Sequence, residues 1–130
     1  MSYDYALDRD RRRVTVVMHE SFALPDIFAV LNRLAADEGW GYSGLFDARS
    51  LTWTPSTSEI RQIVDHISRT SSRIETKPGP AALVAGSLAT FGMGRMLAML
   101  AESATGLNMN VFRDLANAER WLDEQTPPEV

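Results

Sequence analysis

The chain has 130 residues, 13 Lys and Arg against 17 Asp and Glu, a net charge of -4 and no cysteine. One domain is expected at this length, large enough to bury roughly two-thirds of its unfolded surface without staples. The acidic balance argues against nucleic acid, whose binding domains usually carry a basic face, and the missing cysteines exclude disulfides, thiolate metal sites and a Cys nucleophile. Met1–Asp10 is polar and charged, so no signal peptide is expected. No apolar run approaches the ~20 residues of a membrane-spanning helix. The longest, Leu88–Leu100, is broken by Gly92, Gly94 and Arg95. A soluble, cytoplasmic protein is expected.

Residues 3–8 and 12–19 read as two short strands. Val14, Val16 and Met18 alternate with Thr15, Val17 and His19 at the two-residue period of a strand. The charged stretch Asp8–Arg11 between them suits a hairpin turn, which also accounts for the basic run Arg9–Arg13. The first helix starts near Pro25, whose missing N–H costs nothing in the first turn. Leu24, Ile27, Phe28, Leu31 and Leu34 recur at helical spacing, and Gly39 is the expected stop. Trp40 and Tyr42 follow in a loop. Ser43–Ala48 reads as the third strand.

Ser56-x-x-Glu59 is a capping box: the hydroxyl accepts from one orphan N–H and the glutamate reaches back to another. The second helix is expected over Thr57–Ser71, with Ile60, Ile63, Val64 and Ile67 on one stripe and Arg61, Gln62, Asp65 and Arg69 outward. Residues 71–79 read as a loop. Ala81–Ala85 is an apolar strand, Leu88–Ser103 a third helix, Asn108–Arg113 a last strand and Ala116–Glu124 a last helix. A single domain over 1–124 is expected, with a flexible tail over 125–130. After the hairpin, helices alternate with strands, so those strands are expected to be parallel with right-handed crossovers. The predicted class is α/β, a mixed, mostly parallel five-stranded sheet with an N-terminal β-hairpin and four helices.

Leu45-Phe46-Asp47-Ala48-Arg49, Ala82-Leu83-Val84-Ala85, Gly92-Met93-Gly94-Arg95-Met96, and Val111-Phe112-Arg113-Asp114 with Ala118 and Trp121-Leu122 carry a resemblance. In this pattern the chain resembles the SpoIIAA-like proteins of the STAS fold (sulphate transporter and anti-sigma factor antagonist) over about residues 5–123. The resemblance implies a non-enzymatic regulatory or ligand-binding module with protein partners. Signalling members carry an Asp-Ser-Ser-Gly turn before the second helix, with a phosphorylated serine. That turn is absent here. Ser56, Thr57 and Ser58 occupy its place and are the candidate phosphorylation sites.

Catalysis finds little support. His19 and His66 are the only histidines and lack a partner at metal-ligand spacing, so no metal and no cofactor are expected. A Ser87, His19, Asp47 triad can be written down, but almost any chain of this size allows one. There is no Gly-x-Ser-x-Gly elbow and no phosphate-binding Gly-Lys-Ser string. Ser87 opens the third helix, either as its N-cap or as part of an anion site at the positive end of the helix dipole. In open α/β sheets ligands sit beyond the carboxyl ends of the parallel strands. That edge should carry His19, Glu20, Gly86 and Asp114, with Asp47, Arg49, Ser87 and Arg113 as the binding candidates. The alternative is that these residues only pair locally.

The third helix raises a different possibility. Met93, Met96, Leu97 and Leu100 make one face, while Leu88, Phe91 and Met99 fall on another. A helix apolar nearly all round is buried on more than one side. The second face is read either as core or as an interface built on Leu88, Phe91, Arg95 and Met99. Gly92 and Gly94 suggest a close approach to the backbone. The leading expectation is a non-catalytic module working through protein–protein contact, as a homodimer or with another regulatory protein. The alternative is a carrier or sensor of a small apolar or anionic ligand at the carboxyl edge of the sheet.

Overall fold

The computed structural model describes residues 2–125. Strands β1 (Tyr3–Asp8) and β2 (Arg13–Met18) pair antiparallel. Strands β3 (Ser43–Ala48), β4 (Ala81–Ala85) and β5 (Met109–Phe112) continue in parallel, giving one five-stranded sheet in the order β1-β2-β3-β4-β5. The helices are α1 (Leu24–Ala36), α2 (Thr57–Ile74), α3 (Leu88–Thr105) and α4 (Leu115–Gln125). The expected α/β class, mixed sheet and hairpin are all present. Except for Gln125, the predicted tail lies outside the described residues.

Every crossover steps one strand in the same direction. Right-handed crossovers that all step one way place their helices on one face, and α1, α2 and α3 share that face. Helix α4 covers the other face, over β3, β4 and β5. The alternation in β2 serves this division. Val14, Val16 and Met18 are buried under the three helices. Arg13 faces the other way, where its guanidinium donates to Ser43 Oγ at 3.1 Å and to Asp123 Oδ1 of α4 at 3.0 Å. A smaller core of Leu45, Ala82, Val84, Ala118 and Leu122 lies under α4.

Some boundaries differ from the sequence reading. Helix α1 ends at Ala36, and the left-handed residue after it is Glu38 (φ 60°), not Gly39. Gly39 answers to space: a Cβ there would sit 3.1 Å from Leu7 Cδ1 and 3.3 Å from Leu34 Cδ2. Helix α2 runs on to Ile74, because Ile74 still packs on the core. Helix α3 runs to Thr105 and ends at Gly106 (φ 74°), whose N–H donates to Glu102 O at 2.8 Å. Trp40 is not a loop ornament. It is buried, and its Nε1 donates to Ser71 Oγ at 3.0 Å.

Candidate functional site

The helical side of the central sheet is floored with small residues. Side chains alternate across a strand, so β3 presents Gly44, Phe46 and Ala48 upward, and β4 presents Ala81, Leu83 and Ala85. Register sets Gly44 beside Ala81, Phe46 beside Leu83 and Ala48 beside Ala85. Four of these six positions carry at most a methyl group. The Phe46 ring leans back over Gly44, where a Cβ would come within 2.6 Å of its Cε2. The helices cannot close down onto such a floor, and an apolar cavity of about 160 Å³ remains between them and the sheet.

Its walls come from all three helices: Ile27 and Leu31 of α1, Ile60 and Ile63 of α2, Met93 and Leu97 of α3. Phe46 and Leu83 sit mid-sheet yet are only half-buried. The cavity runs the length of the strands. Leu51, Trp53 and Pro55 line it at the carboxyl ends, and Tyr42 with Pro78–Pro80 at the amino ends. No Asp, Glu, His, Lys or Arg lines it, and the wall is almost entirely carbon. Protein interiors rarely hold voids much larger than a water molecule. The residues that line this cavity lack the partners a close-packed interior would give them.

The segment between β3 and α2 is anchored at two points. Thr52 Oγ1 donates to Glu20 O at 2.8 Å. Ser56 makes the predicted capping box: Glu59 N donates to Ser56 Oγ at 3.1 Å, and Ser56 N to Glu59 Oε1 at 2.9 Å. Ser56, Thr57 and Ser58 are all exposed.

The polar edge lies at the carboxyl ends of the strands. Asp47 is buried, and Arg49 wraps it with its backbone N–H at 3.1 Å, Nε at 2.9 Å and a terminal nitrogen at 2.8 Å. The hydrogen bonds from Arg49 hold the Asp47 carboxyl below its ordinary range, and the same bonds push the guanidinium up. The Asp114 charge adds to the shift on Arg49. Gly86 is fixed by contact, since a Cβ there would fall 2.3 Å from Arg49 O. Ser87 is the N-cap of α3, accepting from Thr90 N at 3.1 Å. Arg113 is exposed. Asp114 Oδ1 accepts from Asn117 N at 2.9 Å and so caps α4. The three members of the conceivable triad have other partners: His19 meets Asp4 at 3.0 Å, Asp47 meets Arg49 and Ser87 meets Thr90. Thus the structure brings Asp47, Arg49 and Asp114 together, and it does not join Ser87 to His19.

Helix α3 sorts its apolar residues by direction. Thr90, Gly94 and Ala101 are buried toward the sheet. Met93, Met96, Leu97 and Leu100 pack on the core. Leu88 and Met99 face outward at 76% and 70% exposure, Arg95 is exposed beside them and Phe91 is half-buried. Gly94 has the close approach expected, with Leu83 Cδ2 at 2.8 Å from an added Cβ. Gly92 faces open space. His66 lies on the α1–α2 surface, its ring 4.9 Å from Phe28 and its Nε2 2.9 Å from Asn32 Oδ1. Burial, then Arg69 and Arg73, holds its pKa below the ordinary value. Among the described residues no group of three or more His, Cys, Asp or Glu is placed to hold a metal ion.

The cavity itself escaped the sequence reading. Its one sequence signal is the run of Gly and Ala at alternate positions of two neighbouring parallel strands.

No family model matches the chain, and no curated protein does. Among solved structures, it is similar to an uncharacterised DUF3478-family protein with a SpoIIAA-like fold from Shewanella loihica. The two are 15% identical, the match covers 92% of this chain and 91% of that one, and the TM-score is 0.54. The chain has a SpoIIAA-like fold. No helix among the described residues is long and apolar enough to cross a membrane.

Proposed function

We propose that the chain is a non-catalytic binding module that takes a small apolar ligand into the cavity between the sheet and α1–α3, as a carrier or sensor. The carbon-walled void of about 160 Å³ carries this reading. Such a void is costly when empty and repays that cost when filled. An engineered apolar cavity of about 150 Å³ in another protein stays dry and binds benzene. The cavity reaches the carboxyl ends of the strands through Ala48, Leu51 and Trp53. The ligand sits beneath the helices there, and the Asp47–Arg49 pair is structural support for the edge. Thermal unfolding with and without benzene, methylcyclohexane and cyclohexanone tests this. A ligand at a hundred times its Kd stabilises by about 2.7 kcal/mol, which raises Tm by several degrees. If none of the three moves Tm, the reading fails.

A second reading rests on α3. Two large apolar side chains, Leu88 and Met99, stand outward on one helix with Arg95 between them. This surface favours self-association or a regulatory protein partner. Light scattering at high concentration tests it: a concentration-dependent dimer that Met99→Glu converts to monomer supports it, and a wild-type monomer throughout removes self-association.

A further inference from the structure

We infer that two copies of the chain pair through α3 in antiparallel register, with a two-fold axis at Met99 and Arg95 of each copy bridged to Glu102 of the other. This rests on the self-association reading above. Helix α3 packs on α2 and over β4 and β5, and its remaining side is open to water. Leu88, Gly92, Arg95, Met99 and Glu102 are all exposed on that side. Successive members are four, three, four and three residues apart, the alternation that keeps one seam facing a second helix.

Charge sets the register. Arg95 and Glu102 lie about 10.5 Å apart along the helix, beyond the three- or four-residue spacing at which side chains of one helix meet. Neither has an ion pair with a described residue. The stripe therefore carries one unpaired charge of each sign, and a second copy supplies both counter-charges. In a parallel pair Arg95 would face Arg95, and Glu102 would face Glu102. In an antiparallel pair with its axis at Met99, Arg95 lies about 6 Å from the axis and the second copy's Glu102 about 4.5 Å to the same side. Long side chains absorb that mismatch, and the axis repeats the ion pair on the far side of Met99. The two Met99 side chains, each 70% exposed in the single chain, then cover one another between the ion pairs. Gly92 falls opposite the second copy's Gly106, so the backbones can approach there. That gives Gly92 a use it lacks in the single chain, where an added Cβ would meet nothing. Leu88 reaches past the end of the second helix. Antiparallel pairing also sets opposite ends of the two helix dipoles together.

The test is the dimer dissociation constant, measured by sedimentation equilibrium. Arg95→Glu sets like charges together at both sites and should weaken the dimer about tenfold. The double variant, Arg95→Glu with Glu102→Arg, exchanges the signs and should restore wild-type affinity. A double variant no tighter than Arg95→Glu overturns the register and leaves self-association standing. A wild type that stays monomeric at every concentration overturns both. The chain has no cysteine, so oxidation of single-cysteine variants reads the register even if the charge variants do not fold. Met99→Cys should cross-link two copies across the axis. Leu88→Cys, whose two positions lie about 33 Å apart along the helices, should not. Cross-linking at Leu88, or none at Met99, overturns the inference.

Discussion

Ala48→Leu puts the cavity to a test of sign. Ala48 is the last residue of β3, 1% exposed, and its side chain is part of the cavity wall. Leucine adds three carbons. In a void that accepts them, each contributes about 0.8 kcal/mol, so the variant gains up to about 2 kcal/mol. That is a large share of the roughly 5–15 kcal/mol by which domains are stable. In a closed core the same substitution costs about 1–3 kcal/mol through forced rotamers and backbone shifts. Urea denaturation separates the two, with the midpoint rising at constant slope if the space is there. The same variant should lose the Tm shift given by cyclohexanone, since the added carbons occupy the ligand's volume. A midpoint that falls by the overpacking amount, with the cyclohexanone shift intact, refutes the reasoning.

Gly92→Ala and Gly94→Ala should move in opposite directions in the same assay. The first gains about 1 kcal/mol of helix propensity with nothing in its way. The second loses about 1 kcal/mol net, because its Cβ falls 2.8 Å from Leu83 Cδ2 and 3.2 Å from Val111 Cγ2. Ser56→Ala should cost about 1 kcal/mol by removing the cap of α2, and Ser56→Asp should restore most of it; equal midpoints for wild type and Ser56→Ala refute the capping role. For His66 the folded pKa lies below the unfolded one. The unfolded chain therefore binds more protons, and this contribution is whole above about pH 6.5 and lost as pH falls through the folded value. The fall in urea midpoint from pH 7.5 to 5.5 should be smaller in His66→Gln than in wild type, and equal falls refute it.

What the sequence made legible was what depends on one element at a time. Ile60, Ile63, Val64 and Ile67 with Ser56-x-x-Glu59 state helix α2 without reference to anything else, and all four isoleucine and valine side chains are buried. Asp47 and Arg49 lie two apart on one strand end, so their pairing was available as an alternative. The excess of apolar residues on α3 was visible, but not its division. Only the sheet decides that Gly94 faces Leu83 while Leu88 and Met99 face outward. The cavity depends on three layers at once. Gly44, Ala48, Ala81 and Ala85 are unremarkable in their own strands and become a floor only when β3 and β4 are in register.

The strictly sequential strand order bears on how the domain is assembled during synthesis. Each parallel strand, as it emerges, finds its neighbour already made and need not be threaded between two others. Arg13 is the residue that must wait. Its guanidinium lies on the face that stays open to water until α4 arrives, and its carboxylate partner Asp123 is 110 residues later in the chain. The docking of the last helix therefore removes the water from Arg13 and brings its counter-charge in the same movement. Until that final turn is in place, the sheet can be complete in hydrogen bonds while still unsealed on one side.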